Sequence, residues 1–275
     1  MRVRRWVRPR RRQIAGGRWI VTGASRGIGQ ALAECAAGRG ARLLLVARSA
    51  DRLERLAQQL AATAEVHYLA GDLTEPQFRQ QIGDWVGKNW AGCDVLINNA
   101  GVGSYGPLAE APESRLRAVM ELDFFAPILL AQRLLPWLKQ GRDPLIANIG
   151  SVLGYCAVPW KAEYCAAKAA LRMAVDAWRA ELAGSGVDVL LVSPSTVETS
   201  FFDHLAAGSH PPHKRRGASP QWIALQTLKA IEHRRSEVVL TWEARALVWV
   251  SRFFPALLRW ANAVYARRCN RLHQP

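Results

Sequence analysis

Short apolar segments alternate with longer amphipathic segments along this chain. The apolar run at residues 41–47 is typical of a strand that is buried on both faces of a sheet, and another strand is predicted at 145–149. Residues 51–62 instead carry Leu53, Leu56 and Leu60, whose spacing places them on one face of a helix. The same criteria predict further strands at 18–22, 65–69, 95–97, 188–192 and 236–241, and further helices at 30–38, 77–87, 114–139, 163–183 and 221–233.

Strands that alternate with helices predict a parallel sheet, because parallel strands need crossover connections. We therefore expect an α/β fold of the Rossmann type, a doubly wound parallel sheet with helices on both faces. The 275 residues, half of them hydrophobic, are enough for one large core and a single domain. We predict that domain over residues 18–241, with a long loop at about 194–220, a basic extension at 1–17 and a basic, aromatic-rich extension at 242–275.

A glycine-rich turn separates the first predicted strand from the first predicted helix. Residues 22–29 read TGASRGIG, with glycines at positions 23, 27 and 29. In such a turn one glycine permits the tight bend, one lets the backbone approach a pyrophosphate, and one lets helix and strand pack closely. The phosphates then lie at the positive end of the helix. This context favours a dinucleotide site over a plain connector.

Five motifs resemble those of the classical short-chain dehydrogenases/reductases and occur in that family's order. They are TGASRGIG, Asp72-Leu73, Asn98-Asn99-Ala100-Gly101, Ser151 and Tyr164-x-x-x-Lys168. The resemblance covers residues 18–200 or so and becomes loose in the C-terminal part. It implies an oxidoreductase that transfers a hydride between a nicotinamide cofactor and a carbonyl or alcohol substrate.

The resemblance also implies a set of cofactor contacts. Asp72 and Leu73 would border the adenine, Asn99 would line the cofactor channel, and residues 194–197 would contact the carboxamide side. Ser195 replaces the family's usual glycine there, which alters that turn or restricts the substrate mouth. Together with the turn, the expected cofactor-binding residues are Gly23, Ser25, Arg26, Gly27, Ile28, Gly29, Arg48, Asp72, Leu73, Asn99, Ala100, Gly101, Tyr164, Lys168, Pro194, Val197 and Thr199.

The second predicted strand ends in an arginine where many dinucleotide-binding folds have an acid that binds the ribose hydroxyls of NAD. That arginine is Arg48, and Arg26 lies inside the glycine turn. A guanidinium binds a phosphate through two parallel hydrogen bonds, so the pair favours NADP(H) over NAD(H). The alternative is that Arg48 is a solvated residue at the start of the next helix, to which Asp51 also belongs.

Tyr164 and Lys168 are four residues apart near the start of a predicted helix, so they share one face. A free tyrosine has a pKa of about 10. A neighbouring ammonium and a cationic nicotinamide both favour the phenolate, so we expect a lowered pKa for Tyr164. By the resemblance, Ser151 hydrogen-bonds the substrate oxygen, Lys168 holds the ribose hydroxyls, and Tyr164 gives or takes the proton of that oxygen.

The family's fourth catalytic position, normally asparagine, aligns with Asp123. In the family this residue holds a helix kink and a water of the proton relay. An aspartate still accepts hydrogen bonds but brings a charge, so either the relay tolerates it or activity is tuned or reduced. The alternative function is therefore a catalytically impaired, NADP-binding regulatory or scaffold protein of the same fold.

The formal net charge of +15 is concentrated at the two ends of the chain. Residues 1–18 hold eight arginines and no acid, whereas residues 19–210 are slightly acidic. The charge therefore says little about the central chemistry, and without a recognition module we do not expect nucleic-acid binding. The basic ends either contact an anionic membrane or acidic partner, or they are solvated tails.

The C-terminal stretch 242–268 combines basic and aromatic residues. Arg245, Arg252 and Arg259 recur every seven residues among tryptophans and phenylalanines, and Pro255 should kink or divide a helix here. Such a segment fits peripheral contact with a membrane surface, but a cover over the substrate pocket or a dimer contact would use the same apolar face. The sequence contains no run of 18 or more apolar residues, so we predict no transmembrane helix.

Two weaker signals complete the prediction. Five cysteines without a CxxC pair indicate a reduced, cytoplasmic protein, with membrane association left open. His204, His210 and His213 fall in the long loop, where we assign them to the substrate mouth and expect no metal site. The apolar C-terminus favours a fairly apolar substrate, and we expect a homo-oligomer.

Overall fold

The computed structural model describes residues 11–198 and 217–272, with side chains up to residue 267. The strands are β1 (Arg18–Thr22), β2 (Arg42–Ala47), β3 (Val66–Ala70), β4 (Val95–Asn98), β5 (Leu145–Ile149), β6 (Asp188–Ser193) and β7 (Glu237–Val239). The helices are α1 (Gly27–Ala37), α2 (Ala50–Leu60), α3 (Pro76–Asn89), α4 (Glu113–Met120), α5 (Ala126–Leu138), α6 (Ala162–Glu181), α7 (Pro220–Glu232), α8 (Trp242–Phe253) and α9 (Pro255–Leu272).

The seven strands form one parallel sheet in the order β3-β2-β1-β4-β5-β6-β7. The chain winds outward from β1 to β3 and then returns to add β4 on the other side of β1. Ligands bind outside the carboxyl ends of the strands where the order reverses, which is here between β1 and β4. The predicted doubly wound Rossmann fold of a single domain is confirmed.

Both faces of the sheet are covered by helices. Helices α1, α2 and α7 pack on one face around Leu32, Leu53 and Leu228. Helices α3 and α5 pack on the other face around Ile82 and Leu134, and α6 adds a smaller cluster beside them. The strands β2 and β5 are buried on both faces, as the apolar run of β2 predicts.

The predicted helix 114–139 is not one continuous α-helix. A π-helical turn at Glu121–Phe125 separates α4 from α5, and α5 begins with Pro127 in its first turn. A π turn adds one residue to the turn and rotates the side chains that follow it. In this chain the turn points Asp123 into the interior, where its side chain is fully buried.

The two ends of the chain also differ from the simplest expectation. The predicted strand 236–241 is shorter because Thr241 caps α8, its hydroxyl accepting the Ala244 N–H at 3.2 Å. Pro255 divides the C-terminal stretch, as predicted, and begins α9. Near the N-terminus, Arg12 is buried and donates to Asp188 Oδ2 at 2.5 Å, so this part of the basic extension is neither a solvated tail nor an exposed patch.

Candidate active site

A cleft of about 460 Å³ opens at the carboxyl ends of the central strands, where the strand order reverses. It brings together most of the residues that the sequence predicts for cofactor and substrate. Those that line it are Gly23, Ser25, Arg26, Gly27, Ile28, Arg48, Asp72, Leu73, Asn99, Ala100, Gly101, Ser151, Tyr164, Lys168, Pro194 and Val197. Gly29 and Asp123 lie behind the lining, and Thr199 and the three loop histidines lie outside the described residues.

The glycine turn is packed too closely to accept side chains. Gly23 has a φ of +66°, and a Cβ on it would lie 2.8 Å from Asn99 Nδ2. A Cβ on Gly29 would lie 2.2 Å from the carbonyl oxygen of Gly23. Asn99 stabilises the turn, because its Nδ2 donates a hydrogen bond to the Thr22 carbonyl oxygen at 2.9 Å. The backbone of the turn therefore forms one wall of the cleft. Gly29 is not part of that wall and instead allows the start of α1 to pack closely against Gly23.

The start of α1 is suited to an anion. No acid lies in its first turn, and its N-cap residue is Arg26, whose guanidinium has no acceptor atom for the backbone N–H groups. Those N–H groups and the helix dipole together favour a phosphate at this end of the helix. Since the surrounding glycines leave room for close approach, the turn fits the pyrophosphate of a dinucleotide.

Three arginines of the described residues line this part of the cleft, one inside the glycine turn and two at the end of β2 and the start of α2. Arg26 and Arg48 are the predicted pair, and Arg52 in the first turn of α2 was missed. Asp51 belongs to α2, as expected, and is not part of the lining. Among the described residues the acid in the lining is Asp72, whose Oδ1 already accepts the Thr74 N–H at 2.9 Å. This end of the cleft is therefore basic.

At the opposite end, Ser151, Tyr164 and Lys168 converge. Ser151 follows β5, and its hydroxyl accepts the Leu153 N–H at 3.1 Å. Tyr164 and Lys168 lie in the first two turns of α6, with Lys168 Nζ 5.6 Å from the centroid of the Tyr164 ring. The side chains of Ser151 and Tyr164 share a hydrogen bond. One hydroxyl, one phenol and one ammonium thus face the same small volume.

The expected lowering of the Tyr164 pKa is wrong for this structure. Burial raises the pKa of Tyr164 and outweighs the opposing effects of Lys168 and of the Ser151 hydrogen bond. The negative charge of Asp123 raises it further. The cationic nicotinamide that entered the prediction is the remaining influence that would favour the phenolate.

Asp123 lies behind Lys168. Its Oδ1 accepts the Val102 N–H at 2.7 Å, and its Oδ2 lies 3.3 Å from Lys168 Nζ. Burial raises the pKa of Asp123, against the opposing influence of Lys168. Burial also disfavours the Lys168 ammonium, but the charges of Asp123 and Tyr164 outweigh it and raise the pKa of Lys168. The aspartate therefore forms a buried ion pair with the lysine and, separately, raises the pKa of Tyr164 by its own charge.

A second buried ion pair supports the start of α6. Arg115 of α4 and Glu163 of α6 are paired, with both side chains almost wholly inaccessible. Arg115 also donates to the Pro107 carbonyl at 3.2 Å. Glu163 directly precedes Tyr164, so the pair holds the turn that carries the phenol. Neither residue stands out in the sequence, because an arginine and a glutamate far apart in the chain are ordinary surface residues until the fold joins them.

The remaining lining residues come from segments that sequence motifs do not mark. They include Leu122, Leu153, Thr196 and Lys161, the last of which lies just before α6. Ser195 also lines the cleft, without a left-handed backbone, and shares a hydrogen bond of 3.2 Å with Thr241. The serine therefore ties the cleft wall to the cap of α8. No described residue of α8 or α9 is part of the cleft lining.

Comparison with known proteins identifies the family and the fold. A model of the short chain dehydrogenase family matches residues 18–209. The chain is 30% identical to dehydrogenase/reductase SDR family member 7B of Bos taurus over 80% of this chain and 72% of that one. A short chain dehydrogenase/reductase from Burkholderia phymatum in complex with NAD shares the fold, with a TM-score of 0.82 at 24% identity over 90% of this chain and 96% of that one.

A metagenomic short-chain oxidoreductase in complex with NADP is 31% identical, with a TM-score of 0.70 over 83% of this chain and 98% of that one. The fold and the cleft define a Rossmann-type protein of the oxidoreductase class. Within that class, the chain belongs to the short-chain dehydrogenase/reductase family.

Proposed function

We propose that this protein is an NADP(H)-dependent oxidoreductase that interconverts a carbonyl compound and a secondary alcohol. The convergence of Ser151, Tyr164 and Lys168 at one end of a cleft whose other end is a glycine turn carries this proposal. Substrate and cofactor then meet between the two ends, and the direction of the reaction is left open because both directions use the same residues.

The chain offers a site for each part of the cofactor. The glycine turn and the start of α1 hold the pyrophosphate, Asp72 and Leu73 border the adenine, and Lys168 holds the nicotinamide ribose. When bound, the nicotinamide supplies or accepts the hydride. Asn99, Pro194 and Val197 line the channel between these points.

The protein's own part in the chemistry is to align an oxygen and to move its proton. Ser151 donates to the substrate oxygen, and Tyr164 transfers the proton to or from that same oxygen. Lys168 favours the phenolate state of Tyr164 by its charge. Leu153, whose N–H donates a hydrogen bond to the Ser151 hydroxyl, favours a fairly apolar substrate, as the sequence also predicts.

Replacement of Tyr164 by phenylalanine tests the proton-transfer role. We expect Tyr164→Phe to lower kcat by about 10² to 10⁴, the range typical of lost acid–base catalysis, while NADPH binding is retained. The measurements are steady-state turnover on a panel of ketones and aldehydes and NADPH titration by fluorescence. The matched control is Tyr155→Phe, a tyrosine outside the cleft lining. Turnover of Tyr164→Phe close to that of the unmodified protein would refute the role.

The NADP(H) preference rests on the basic end of the cleft. Arg26, Arg48 and Arg52 offer three guanidinium groups where an NAD site commonly offers a carboxylate. Related structures hold either NAD or NADP, so they support a nicotinamide cofactor, and the preference rests on the arginines alone. We expect kcat/KM to be higher with NADPH than with NADH, and equal or better values with NADH would contradict the assignment.

A second candidate, an NADP-binding protein with little turnover, is favoured by one observation. Asp123 pairs with Lys168 and raises the pKa of Tyr164, which opposes the activation that the lysine provides. NADPH binding without turnover on a broad carbonyl panel would select this function. Self-association and a cytoplasmic location stay predictions for either candidate.

A further inference from the structure

Helix α8 carries apolar side chains on two opposite faces. Ala244 is buried on the inner face, where Leu247 and Val248 are also partly covered. Trp242, Trp249 and Phe253 follow one another at spacings of seven and four residues, so they share the outer face. The inner face packs on the protein, and the outer residues are not part of the core that the described residues form.

The exposure continues past Pro255 into α9. We name the exposed set the outer apolar face; the exposed fractions are Trp242 75%, Trp249 55%, Phe253 58%, Phe254 49%, Leu257 54% and Trp260 63%. The ring of Trp249 lies 5.2 Å from that of Phe253 and 5.3 Å from that of Phe254, measured between centroids. A contiguous exposed apolar surface of this kind marks a binding site for a protein or a membrane.

Charged residues beside the outer apolar face are almost all basic. Arg245, Arg252, Arg259 and Arg267 are exposed, and the acid within residues 242–267 is Glu243. A twofold contact between two copies would place the same patch on both sides and bring these arginines together. An anionic lipid surface instead offers them opposite charge, and tryptophan is favoured at the depth of the lipid headgroups.

We infer that the outer apolar face and its arginines dock the protein onto an anionic lipid bilayer, with α8 and α9 lying in the plane of the interface. Among the described residues, no helix is both long and apolar enough to span a membrane, so the contact is peripheral. This inference goes beyond the proposed oxidoreductase activity and holds whether or not turnover is found.

The docking surface is joined to the cleft by direct contacts. Thr241 at the start of α8 is hydrogen-bonded to Ser195 of the cleft wall, and Asn262 of α9 donates to the Ala157 carbonyl at 2.9 Å. These contacts attach α8 and α9 to the body of the protein near the cleft wall, and the outer apolar face lies on the opposite side of α8 from its packed face.

Vesicle flotation with the full chain tests the inference. The probes are vesicles of phosphatidylcholine alone and of equal parts phosphatidylcholine and phosphatidylserine. We expect clear preference for the anionic vesicles, and binding that falls as salt is raised. A variant with Trp249→Ser, Phe253→Ser and Trp260→Ser should lose at least tenfold in partition coefficient. A variant with Arg245→Gln, Arg252→Gln and Arg259→Gln should lose about fivefold per arginine on anionic vesicles.

The control variant is Leu108→Ser with Met173→Ser, which removes residues equally exposed, at 59% and 60%, far from α8 and α9 in sequence. Because residues 1–10 carry further arginines, unchanged binding of the two α8–α9 variants would assign any lipid binding to that end and overturn the inference. Sedimentation velocity of the serine variant tests the alternative that a second copy of the chain binds to the outer apolar face. If the unmodified protein does not bind vesicles and the serine variant dissociates from an oligomer to a monomer, the outer apolar face is a subunit contact and the inference is overturned. NADPH titration and circular dichroism establish that each variant is folded.

Discussion

The two ends of the cleft hold charge in opposite ways. Arg48 and Arg52 at the ribose end are exposed, whereas Lys168 and Asp123 at the catalytic end are buried against each other. Exposed arginines act mainly on the ligand and contribute little to the fold. A buried pair sets the pKa of its neighbours, and neither member can be removed without leaving the other unpaired. Under the proposed function, cofactor specificity and proton transfer are therefore assigned to opposite ends of one cleft.

Removal of the buried lysine should have the largest effect, because it should lower both the stability and the activity of the protein. We expect Lys168→Ala to lower the free energy of unfolding by about 3 to 5 kcal/mol, because Asp123 is left as an uncompensated buried charge. Activity should fall with it, since Tyr164 loses its neighbouring cation. Urea denaturation and turnover measure the two effects.

The double variant Lys168→Ala with Asp123→Asn separates stability from catalysis. It should recover much of the stability, because no charge is left unpaired, but not the activity. Equal stability of the single and double variants would mean that the ion pair is not the cause of the loss.

Removal of the exposed arginines should instead weaken NADPH binding and leave the stability of the protein almost unchanged. We expect Arg48→Ala with Arg52→Ala to raise the KM for NADPH by about 10-fold to 100-fold, as for lost charge-assisted hydrogen bonds to a phosphate. The KM for NADH should change little, and the free energy of unfolding should stay within about 0.5 kcal/mol. Arg55→Ala is the matched control, an exposed arginine of α2 outside the lining. Parallel losses with both cofactors would argue against 2′-phosphate recognition.

The smallest expected effect is a shift in pH dependence. Asp123 raises the pKa of Tyr164, so Asp123→Asn should lower that pKa. The reductive reaction needs protonated Tyr164, and its rate should therefore begin to fall at a lower pH than in the unmodified protein. The oxidative rate, which needs the phenolate, should rise at a lower pH. Profiles of kcat/KM against pH check this, and superimposable profiles would show that Asp123 does not act on Tyr164.

Short sequence patterns predicted the main parts of the candidate site, because each of these parts is formed by residues that are close together in the sequence. The glycine turn, the Tyr164 and Lys168 spacing, and the apolar run of β2 each follow from a few consecutive residues. The alternation of strands and helices then indicated a doubly wound parallel sheet, whose carboxyl edge gathers the motifs. These features needed no knowledge of distant contacts.

Other features depend on contacts between distant segments and were missed for that reason. The π turn was not expected within the helix predicted at 114–139, although it is what buries Asp123 against Lys168. Arg52 became a lining residue only once α2 was placed beside the end of β2. The direction of the Tyr164 pKa shift was wrong because burial, which a sequence does not reveal, outweighs the lysine.

The packing at Gly29 has a practical consequence for redesign of this protein. With a Cβ only 2.2 Å from the Gly23 carbonyl, position 29 admits no other amino acid without displacing the backbone of the turn. The exposed residues at the end of β2 have no such restriction. An engineer who wishes to exchange one nicotinamide cofactor for the other should therefore leave the turn unaltered and diversify positions 48 and 52.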